Sequence, residues 1–260
     1  MKKFLHLFSF LVVLSFVGPA SAVTNGDLDG EDHPYVGLMV AHDGVSGWRC
    51  SGTLISPTVF VTAGHCTDGA IFATVYFETD VESGIPGNGY PFGGGVNGVA
   101  YTSPDYISAA FFVNDLGVVV LNEPVVLAGG YAQLVADAGV LDAMKTRRGR
   151  QNQDFTAVGY GLQRINPVFV EAERVRMVAT PHLIQINTPG FTGDFSILLS
   201  NNHSTGGTCF GDSGGPNFIG ASNIIGGVTS FGINGNCAGT GGVYRLDRAH
   251  DLEWLATFFD

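Results

Sequence analysis

This 260-residue sequence is short of charge. Only 13% of its residues are Asp, Glu, Lys or Arg, and 12 basic residues face 23 acidic ones, which gives a formal net charge of −11. Nucleic acids and anionic membranes bind clustered Lys and Arg, so this balance argues against either as the main partner. Hydrophobic residues make up 45% of the chain, which is too apolar for a disordered protein.

Long apolar runs are also scarce. Beyond the N-terminus, no stretch reaches the roughly 20 apolar residues that a membrane-spanning helix needs. The N-terminal apolar run, 4–17, follows Lys2 and Lys3 and ends before an Ala-Ser-Ala sequence at 20–22. A basic start, a short apolar run and small residues are typical of a secretory signal peptide, here 1–22, rather than of a membrane anchor. We therefore expect a secreted protein, extracellular or periplasmic, with no membrane contact once this segment is removed.

Cysteine is limited to four residues, and none forms a C-x-x-C pair, so a cysteine-based zinc site is not indicated. In an oxidising compartment an even number of cysteines predicts disulfides. Spacing alone leaves three possible pairings for these residues: Cys50, Cys66, Cys209 and Cys237.

Glycine, by contrast, is plentiful, with 38 residues and no triplet period, so collagen is excluded. Short β-type runs between turn signals predict an all-β fold. The clearest predicted strands are 36–41, 59–62, 71–77, 117–121, 155–158, 224–231 and 243–246. The segment 83–98, rich in Gly and Pro, predicts a surface loop. An apolar stripe at helical spacing predicts a C-terminal helix within 247–260.

Three segments carry residues suited to nucleophilic catalysis. His65 ends a predicted strand, Asp115 immediately precedes another, and Ser213 lies among glycines in Gly-Asp-Ser-Gly-Gly-Pro, 211–216. A serine hydroxyl is a poor nucleophile near neutral pH, so a neighbouring histidine must take its proton, and a buried carboxylate can orient that histidine. Glycines leave backbone N–H groups open to a developing oxyanion.

These motifs resemble the trypsin/chymotrypsin-type serine proteases. The resemblance runs from Val23 to the C-terminus and includes Cys-Ser-Gly-Thr-Leu-Ile-Ser at 50–56, Thr-Ala-Gly-His-Cys at 62–66 and Gly-Val-Tyr at 242–244. It implies two six-stranded antiparallel β-barrels with a C-terminal α-helix. The first barrel would span 23–126 and carry His65 and Asp115, the second would span 127–246 and carry Ser213, and the helix would follow in 247–260.

The resemblance also implies roles for individual residues. His65 would be the general base, Asp115 its orienting acid and Ser213 the nucleophile of a serine endopeptidase (EC 3.4.21.-). The backbone N–H groups of Gly211 and Ser213 would form the oxyanion hole. The implied disulfides are Cys50–Cys66 and Cys209–Cys237.

The expected partners are polypeptide substrates and protein protease inhibitors, and we expect a monomer. No cofactor is implied. Glu78, Asp80 and Glu82 lie where some relatives bind a structural calcium ion, although alternating acids equally fit the wet face of a strand or turn.

The same resemblance locates the S1 pocket, which holds the residue before the scissile bond (P1). Its floor position falls on Gly207, where no charge is available for Arg or Lys, and Thr208 would line the wall. Gly232 and Gly242 stand where bulky residues would close the pocket. The backbone of Ser230, Phe231 and Gly232 would pair with extended substrate as an added strand. An open, uncharged pocket predicts a large apolar P1 residue, such as Phe, Tyr or Leu.

An activation mechanism is also implied. In this family a new N-terminal α-amino group pairs with the carboxylate that precedes the nucleophile, here Asp212. Val23 follows the predicted cleavage site directly, with no Arg or Lys between them. Signal-peptide removal would then create the activating terminus by itself. A different mature N-terminus, with Val23 in an ordinary lead-in to a strand, is the alternative.

Two other functions fit parts of the pattern. The segment 211–215 satisfies the G-x-S-x-G pattern of esterases, with Asp247 and His250 following in the required order, but the expected strand and helix around the serine are missing. A catalytically inactive protease-like binding module is the other alternative, and the presence of all three catalytic residue types argues against it.

Overall fold

The computed structural model describes residues 23–144, 152–166 and 169–259, so the predicted signal peptide lies outside the described residues. The strands are β1 (Asp27–Leu28), β2 (Val36–His42), β3 (Gly47–Leu54), β4 (Val59–Thr62), β5 (Phe72–Tyr76), β6 (Val96–Thr102), β7 (Gly117–Leu121), β8 (Gln133–Leu134), β9 (Phe155–Gly159), β10 (Arg164–Asn166), β11 (Phe169–Glu171), β12 (Met177–Ala179), β13 (Leu183–Thr188), β14 (Gly193–Asn201), β15 (Pro216–Ile219), β16 (Ile224–Gly232) and β17 (Gly239–Arg245). The α-helices are α1 (Gly64–Thr67) and α2 (Ala249–Ala256).

Six strands of the first half form a closed antiparallel barrel in the order β2-β3-β4-β7-β6-β5. The strands β2, β4 and β7 are rich in Val, Leu and Phe, which favour a pleated, buried surface. All residues of β2 and β4 are buried. The catalytic candidates His65 and Asp115 lie just after β4 and just before β7, at neighbouring ends of two paired strands.

The second half forms a nine-stranded sheet whose main path runs β1-β12-β9-β15-β16-β17-β14-β13, with β8 added beside β16. The all-β, double-barrel prediction is therefore confirmed as an architecture. The second unit differs in detail from a six-stranded barrel, because nine strands form it and the main path does not close. The strands β10 and β11 form a separate two-stranded sheet.

The strand boundaries predicted from the sequence hold closely at β4 and β7. The predicted surface loop 83–98 is mostly turns, but its last residues, Val96–Gly98, belong to β6, where they pair with β5 and β7. The C-terminal helix α2 lies within the predicted segment. Among the described residues no helix has the length and apolar character needed to cross a bilayer.

A buried arginine joins the two halves. Arg176, next to β12, is 0% exposed and donates from Nε to Asp29 Oδ2 at 2.9 Å. Its Nη1 donates to the carbonyls of Val36 and Phe77, 3.2 and 3.0 Å away, in the first barrel. A buried charge is tolerated only when it is paired and hydrogen-bonded, so these contacts fix the segment before β2 and both sheets around one side chain.

Candidate active site

His65 and Asp115 are joined by three hydrogen-bond contacts. His65 lies on α1, the short helix that follows β4, and its backbone N–H donates to Asp115 Oδ1 at 2.8 Å. Its ring Nδ1 lies 2.9 Å from Asp115 Oδ2 and 3.1 Å from Oδ1. The Asp115 side chain is fully buried, whereas that of His65 is 24% exposed. This arrangement fixes the ring and leaves Nε2 as the nitrogen available to the cleft.

Ser230 contacts the same carboxylate. Its hydroxyl donates to Asp115 Oδ2 at 2.5 Å across the two halves of the molecule. The sequence placed Ser230 only in the substrate pocket, and its bond to Asp115 depends on docking of β16 against the first barrel. With this bond, both carboxylate oxygens of Asp115 have donors, as a buried ionised acid requires.

Ser213 lies on the turn between Cys209 and β15. Ser213 and His65 line the same cleft, although no hydrogen bond within 3.5 Å joins the Ser213 hydroxyl to His65 among the described residues. Hydrogen bonds of this kind are often long in unliganded sites and shorten with substrate. The next residue, Gly214, has φ +77°, and a Cβ there would lie 2.0 Å from Thr62 Oγ1. The turn therefore packs against β4 so closely that only glycine fits.

The N–H groups of Gly211 and Ser213 have no intramolecular acceptor in the described part of the chain. Gly211 adopts φ +97°, and its carbonyl accepts a hydrogen bond from the Ser51 hydroxyl at 2.9 Å. The backbone N–H of Ser51 donates to the Ser213 carbonyl at 2.8 Å. Ser51 thus holds both carbonyls from the barrel side and leaves the two N–H groups free to bind an oxyanion.

The cleft beside Ser213 has a volume of about 520 Å³. Of the predicted pocket residues, Thr208, Ser230, Phe231 and Gly232 line it, together with the disulfide cysteines Cys209 and Cys237 and six further residues: Phe111, Phe210, Thr229, Ile233, Asn234 and Gly235. No charged carboxylate or lysine is among these lining residues. The lining of the cleft therefore carries no permanent charge, and His65 is the one lining residue that can become positively charged.

The other two predicted pocket residues, Gly207 and Gly242, lie beneath this wall. A Cβ on Gly207 would lie 2.3 Å from Cγ of Asn201, so the carboxamide of Asn201 fills the space of a residue-207 side chain. Asn201 is 2% exposed and its Nδ2 donates to the Thr208 carbonyl at 2.7 Å. A Cβ on Gly242 would lie 2.3 Å from the ring of Phe231, which packs on this glycine.

Both disulfides flank the site and join the cysteines that the resemblance pairs. Cys50–Cys66 has a Cα–Cα distance of 6.2 Å and Cys209–Cys237 one of 5.2 Å. The first fixes α1, with His65, to β3. The second fixes the segment before Ser213 to the opposite wall of the cleft.

Asp212, the residue before Ser213, is fully buried. Its Oδ1 accepts from the N–H of Gly161 at 2.7 Å and its Oδ2 from the N–H of Cys209 at 2.8 Å. Burial raises the pKa of Asp212 to about 7 despite these two hydrogen bonds and the charge of Arg49. In this chain the Val23 nitrogen is part of a peptide bond, so it cannot act as a cationic partner of the Asp212 carboxylate.

Val23 is 0% exposed and packs with Met177 and Ala179. The next residue, Thr24, accepts a hydrogen bond at its carbonyl from the N–H of Gly207, 3.1 Å away. The start of the described chain is therefore tied to the segment that carries the predicted pocket floor.

Two of the three possible calcium ligands have other side-chain partners. Glu82 Oε2 binds Arg174 Nη1 at 2.5 Å, and Asp80 Oδ1 accepts from the N–H of Ser83 at 2.9 Å. Within the described ranges, Glu78, Asp80 and Glu82 do not form a cluster whose oxygens could share one ion.

The sequence model of the Trypsin family matches residues 27–251. The chain belongs to the trypsin family. Its relatives include a trypsin of Saccharopolyspora erythraea, 29% identical over 87% of this chain and 93% of the relative. A brachyurin of Leptuca pugilator is 28% identical over 80% and 86% of the two chains, and a chymotrypsin of Phaedon cochleariae is 27% identical over 93% and 83%.

Solved structures show that the trypsin-family fold extends over nearly the whole chain. The structure of HL collagenase superposes with a TM-score of 0.70 at 20% identity, covering 92% of this chain and 100% of the other. An inactivated protease paralogue of the scabies mite superposes with a TM-score of 0.60 at 17% identity, covering 86% and 94%. Membership of the trypsin family makes polypeptides the expected class of substrate.

Proposed function

We propose that the protein is a secreted serine endopeptidase whose catalytic residues are His65, Asp115 and Ser213. The observation that carries this proposal is the hydrogen-bonded set of His65, Asp115 and Ser230, which shares one cleft with Ser213. A buried carboxylate on Nδ1 selects the tautomer in which Nε2 accepts a proton, and it stabilises the imidazolium that results.

The reaction then has two halves. Ser213 Oγ attacks the carbonyl carbon of the scissile bond while His65 Nε2 takes its proton, and the oxyanion binds to the N–H groups of Gly211 and Ser213. The C–N bond breaks as His65 returns the proton to the leaving amine, which leaves an acyl-enzyme on Ser213. Water, deprotonated by His65, hydrolyses this ester and regenerates the serine.

For specificity, we propose a neutral S1 pocket that favours a large apolar P1 residue. The uncharged wall formed by Thr208, Ser230 and Gly232 supports this proposal, as does the absence of an acidic side chain at Gly207. A P1-varied peptide library tests it. Preference for Phe, Tyr or Leu is expected, and preference for Arg or Lys would overturn it.

We also propose that removal of residues 1–22 creates the active enzyme. The new α-amino group of Val23 would pair with Asp212, whose buried carboxylate forms no ion pair within 4.0 Å among the described residues and has only the more distant charge of Arg49. The hydrogen bond between Thr24 and Gly207 supports this proposal, because it already anchors the segment beside the pocket. N-terminal sequencing of the secreted enzyme should give Val-Thr-Asn-Gly, and any other stable N-terminus would contradict the mechanism.

Labelling with a fluorophosphonate tests the central claim, since the inactivated relative shows that the fold alone does not guarantee hydrolysis. The wild type should be labelled and the Ser213→Ala variant should not. Ser46→Ala, at an exposed serine outside the cleft, is the matched control and should be labelled like the wild type. Equal labelling of Ser213→Ala and wild type would remove Ser213 as the nucleophile.

A further inference from the structure

Arg49 differs from the other arginines in the described part of the chain. Each of the others has a carboxylate oxygen within 4.0 Å: Arg164, Arg174, Arg176, Arg245 and Arg248. Arg49 has no such partner there, and its one hydrogen bond runs from Nη1 to the Ala172 carbonyl at 3.4 Å. A guanidinium has five N–H donors, so most of the donors of Arg49 are uncommitted. In a chain with net charge −11, an unpaired cation is unusual.

Arg49 lies beside the reacting atoms. It precedes Cys50, whose disulfide partner Cys66 follows His65. A Cβ on Gly211 would lie 3.2 Å from Nε and 3.3 Å from Nη2 of Arg49, so the guanidinium packs directly on this glycine. Gly211 is the residue whose N–H is proposed to bind the oxyanion.

Arg49 packs on Gly211 but is not among the residues that line the cleft with the proposed S1 pocket. Its guanidinium donates to the Ala172 carbonyl, and Gly161 packs on the same glycine, with its Cα 3.0 Å from a Cβ on Gly211. If the acyl half of an extended substrate fills the pocket, the residues after the scissile bond lie outside this cleft, as Arg49 does.

The neighbourhood of Arg49 contains one other cation, Arg174, and two acids, Asp212 and Glu82. Burial lowers the pKa of Arg49, and the nearby positive charge of Arg174 lowers it further. Arg174 is paired with Glu82 and lies over the ring of Tyr90, with Cζ 5.0 Å from the centroid. Asp212 is bound by the backbone N–H groups of Gly161 and Cys209, and Glu82 is bound by Arg174. Neither acid forms an ion pair with Arg49 among the described residues, so its guanidinium can bind a further carboxylate. Arginine suits this purpose because its planar fork binds a carboxylate through two hydrogen bonds.

We propose that Arg49 selects substrates with Asp or Glu in the first two residues after the scissile bond, an inference that rests on the proposed peptidase activity. The carboxylate of such a residue binds the free N–H groups of Arg49, while Arg174 adds to the local positive potential. The protein would then cleave between a large apolar residue and a following acidic segment.

Acyl transfer measures this preference directly. The acyl-enzyme is formed from a peptide ester with Phe at P1, and pairs of dipeptide amides then compete with water for it. Two series of dipeptide amides are used. In Xaa-Ala amide the first residue is Glu, Gln or Lys, and in Ala-Xaa amide the second residue is Glu, Gln or Lys. Because both nucleophiles react with the same acyl-enzyme, any effect of a variant on acylation cancels in the product ratio.

In the wild type, Glu should exceed Gln about threefold or more at one of the two positions, as expected for a partly buried charge pair. The ratio should fall to about one in Arg49→Gln, and Arg49→Glu should favour Lys. Arg164→Gln, at an exposed arginine outside the cleft, should keep the wild-type ratio. High salt should reduce the wild-type preference, because screening weakens a charge pair at the surface.

A wild-type ratio near one at both positions would overturn the proposal, as would a preference that survives in Arg49→Gln. The salt series on the wild type provides the same decision if a variant fails to fold. Failure to form any acyl-enzyme would instead overturn the proposed peptidase function, and with it this inference, so the two failures are distinguishable.

Discussion

At the scale of single residues, the site depends on how tightly Asp115 is held. Its two oxygens bind the backbone N–H and ring of His65 on one side and the Ser230 hydroxyl on the other. The carboxylate therefore has little freedom to move, and the His65 ring is fixed with it. These contacts hold the His65 ring in the orientation that a general base needs.

The Asp115→Asn variant separates these effects. The amide retains the shape of the carboxylate, but its Nδ2 can donate to His65 Nδ1 and so force the tautomer in which Nε2 carries the proton. That tautomer cannot accept the proton of Ser213, and kcat/KM should fall by about 10³–10⁴. Asp105→Asn, at an exposed acid on the same connection, is the control. A loss of less than tenfold in peptide hydrolysis would contradict the proposed role of Asp115.

Gly214 provides a second test at this scale. A Cβ there would lie 2.0 Å from Thr62 Oγ1, at φ +77°. We expect Gly214→Ala to lower the free energy of unfolding by at least about 3 kcal/mol, through backbone strain together with the clash.

The matched control is Gly220→Ala, which has φ +58° but no atom within 4 Å of its Cβ. It should lose only about 1–2 kcal/mol, the cost of the left-handed conformation alone. Urea unfolding of the two variants gives the comparison, and equal losses would mean that contact with β4 does not constrain the turn.

At the scale of elements, Arg176 connects β12 to the first barrel through Asp29 and the carbonyls of Val36 and Phe77. Arg176→Met removes the arginine partner of the buried Asp29 carboxylate and leaves His33 as its remaining side-chain partner, which should cost about 3–5 kcal/mol of unfolding free energy. The double variant Asp29→Asn/Arg176→Met should recover part of this loss, since no buried charge is then unpaired.

The control for this comparison is Arg164→Met. The Arg164 side chain is 58% exposed and lies 3.9 Å from its carboxylate partner, so its loss should cost less than about 1 kcal/mol. Denaturant unfolding of the three variants measures the differences. A double variant no more stable than Arg176→Met alone would show that Asp29 and Arg176 do not stabilise the fold as a pair.

The elements themselves were predictable to different degrees. Strands β4 and β7 have short apolar runs bounded by turns, and their limits follow from the sequence alone. The start of β6 was predicted as part of a loop, because Gly95 and Gly98 hide a strand that long-range pairing with β5 and β7 creates. Local propensity does not contain that pairing.

The candidate site shows the same division. The motifs around His65 and Ser213 predicted those residues because their chemistry is encoded in adjacent positions. The contacts of Ser51 and of Arg49 with Gly211 join distant segments, and the contact of Asn201 with Gly207 depends on the shape of the turn between them, so no sequence pattern indicated them. Asn201 in particular fills space that the sequence alone suggested was empty.

At the scale of the whole molecule, stability should depend on pH differently before and after cleavage at Val23. In the longer chain the pKa of Asp212 is raised from 3.8 to about 7 by burial. The folded state then binds this proton more tightly than the unfolded state, so stability falls as pH rises from about 4 through 7. In the chain that begins at Val23, the new ammonium group would favour the ionised carboxylate and remove most of this fall.

Urea unfolding of both forms at pH 5 and pH 8 measures the difference. The pKa of Asp251 is also raised, to about 6, but this group is the same in both forms and cancels in the comparison. Asp212→Asn in the longer chain should remove the Asp212 contribution. Equal pH dependence of the two forms would contradict pairing of Val23 with Asp212.

The division of the proposed catalytic residues between the two halves has a consequence for damaged molecules. His65 and Asp115 belong to the first barrel and Ser213 to the second sheet, so turnover requires both halves to be folded and docked at once. Either half alone lacks part of the proposed catalytic set, so neither half should hydrolyse peptides by itself. A copy whose two halves have separated should therefore lose turnover, so peptide hydrolysis reports on the docking of the halves as well as on their folding.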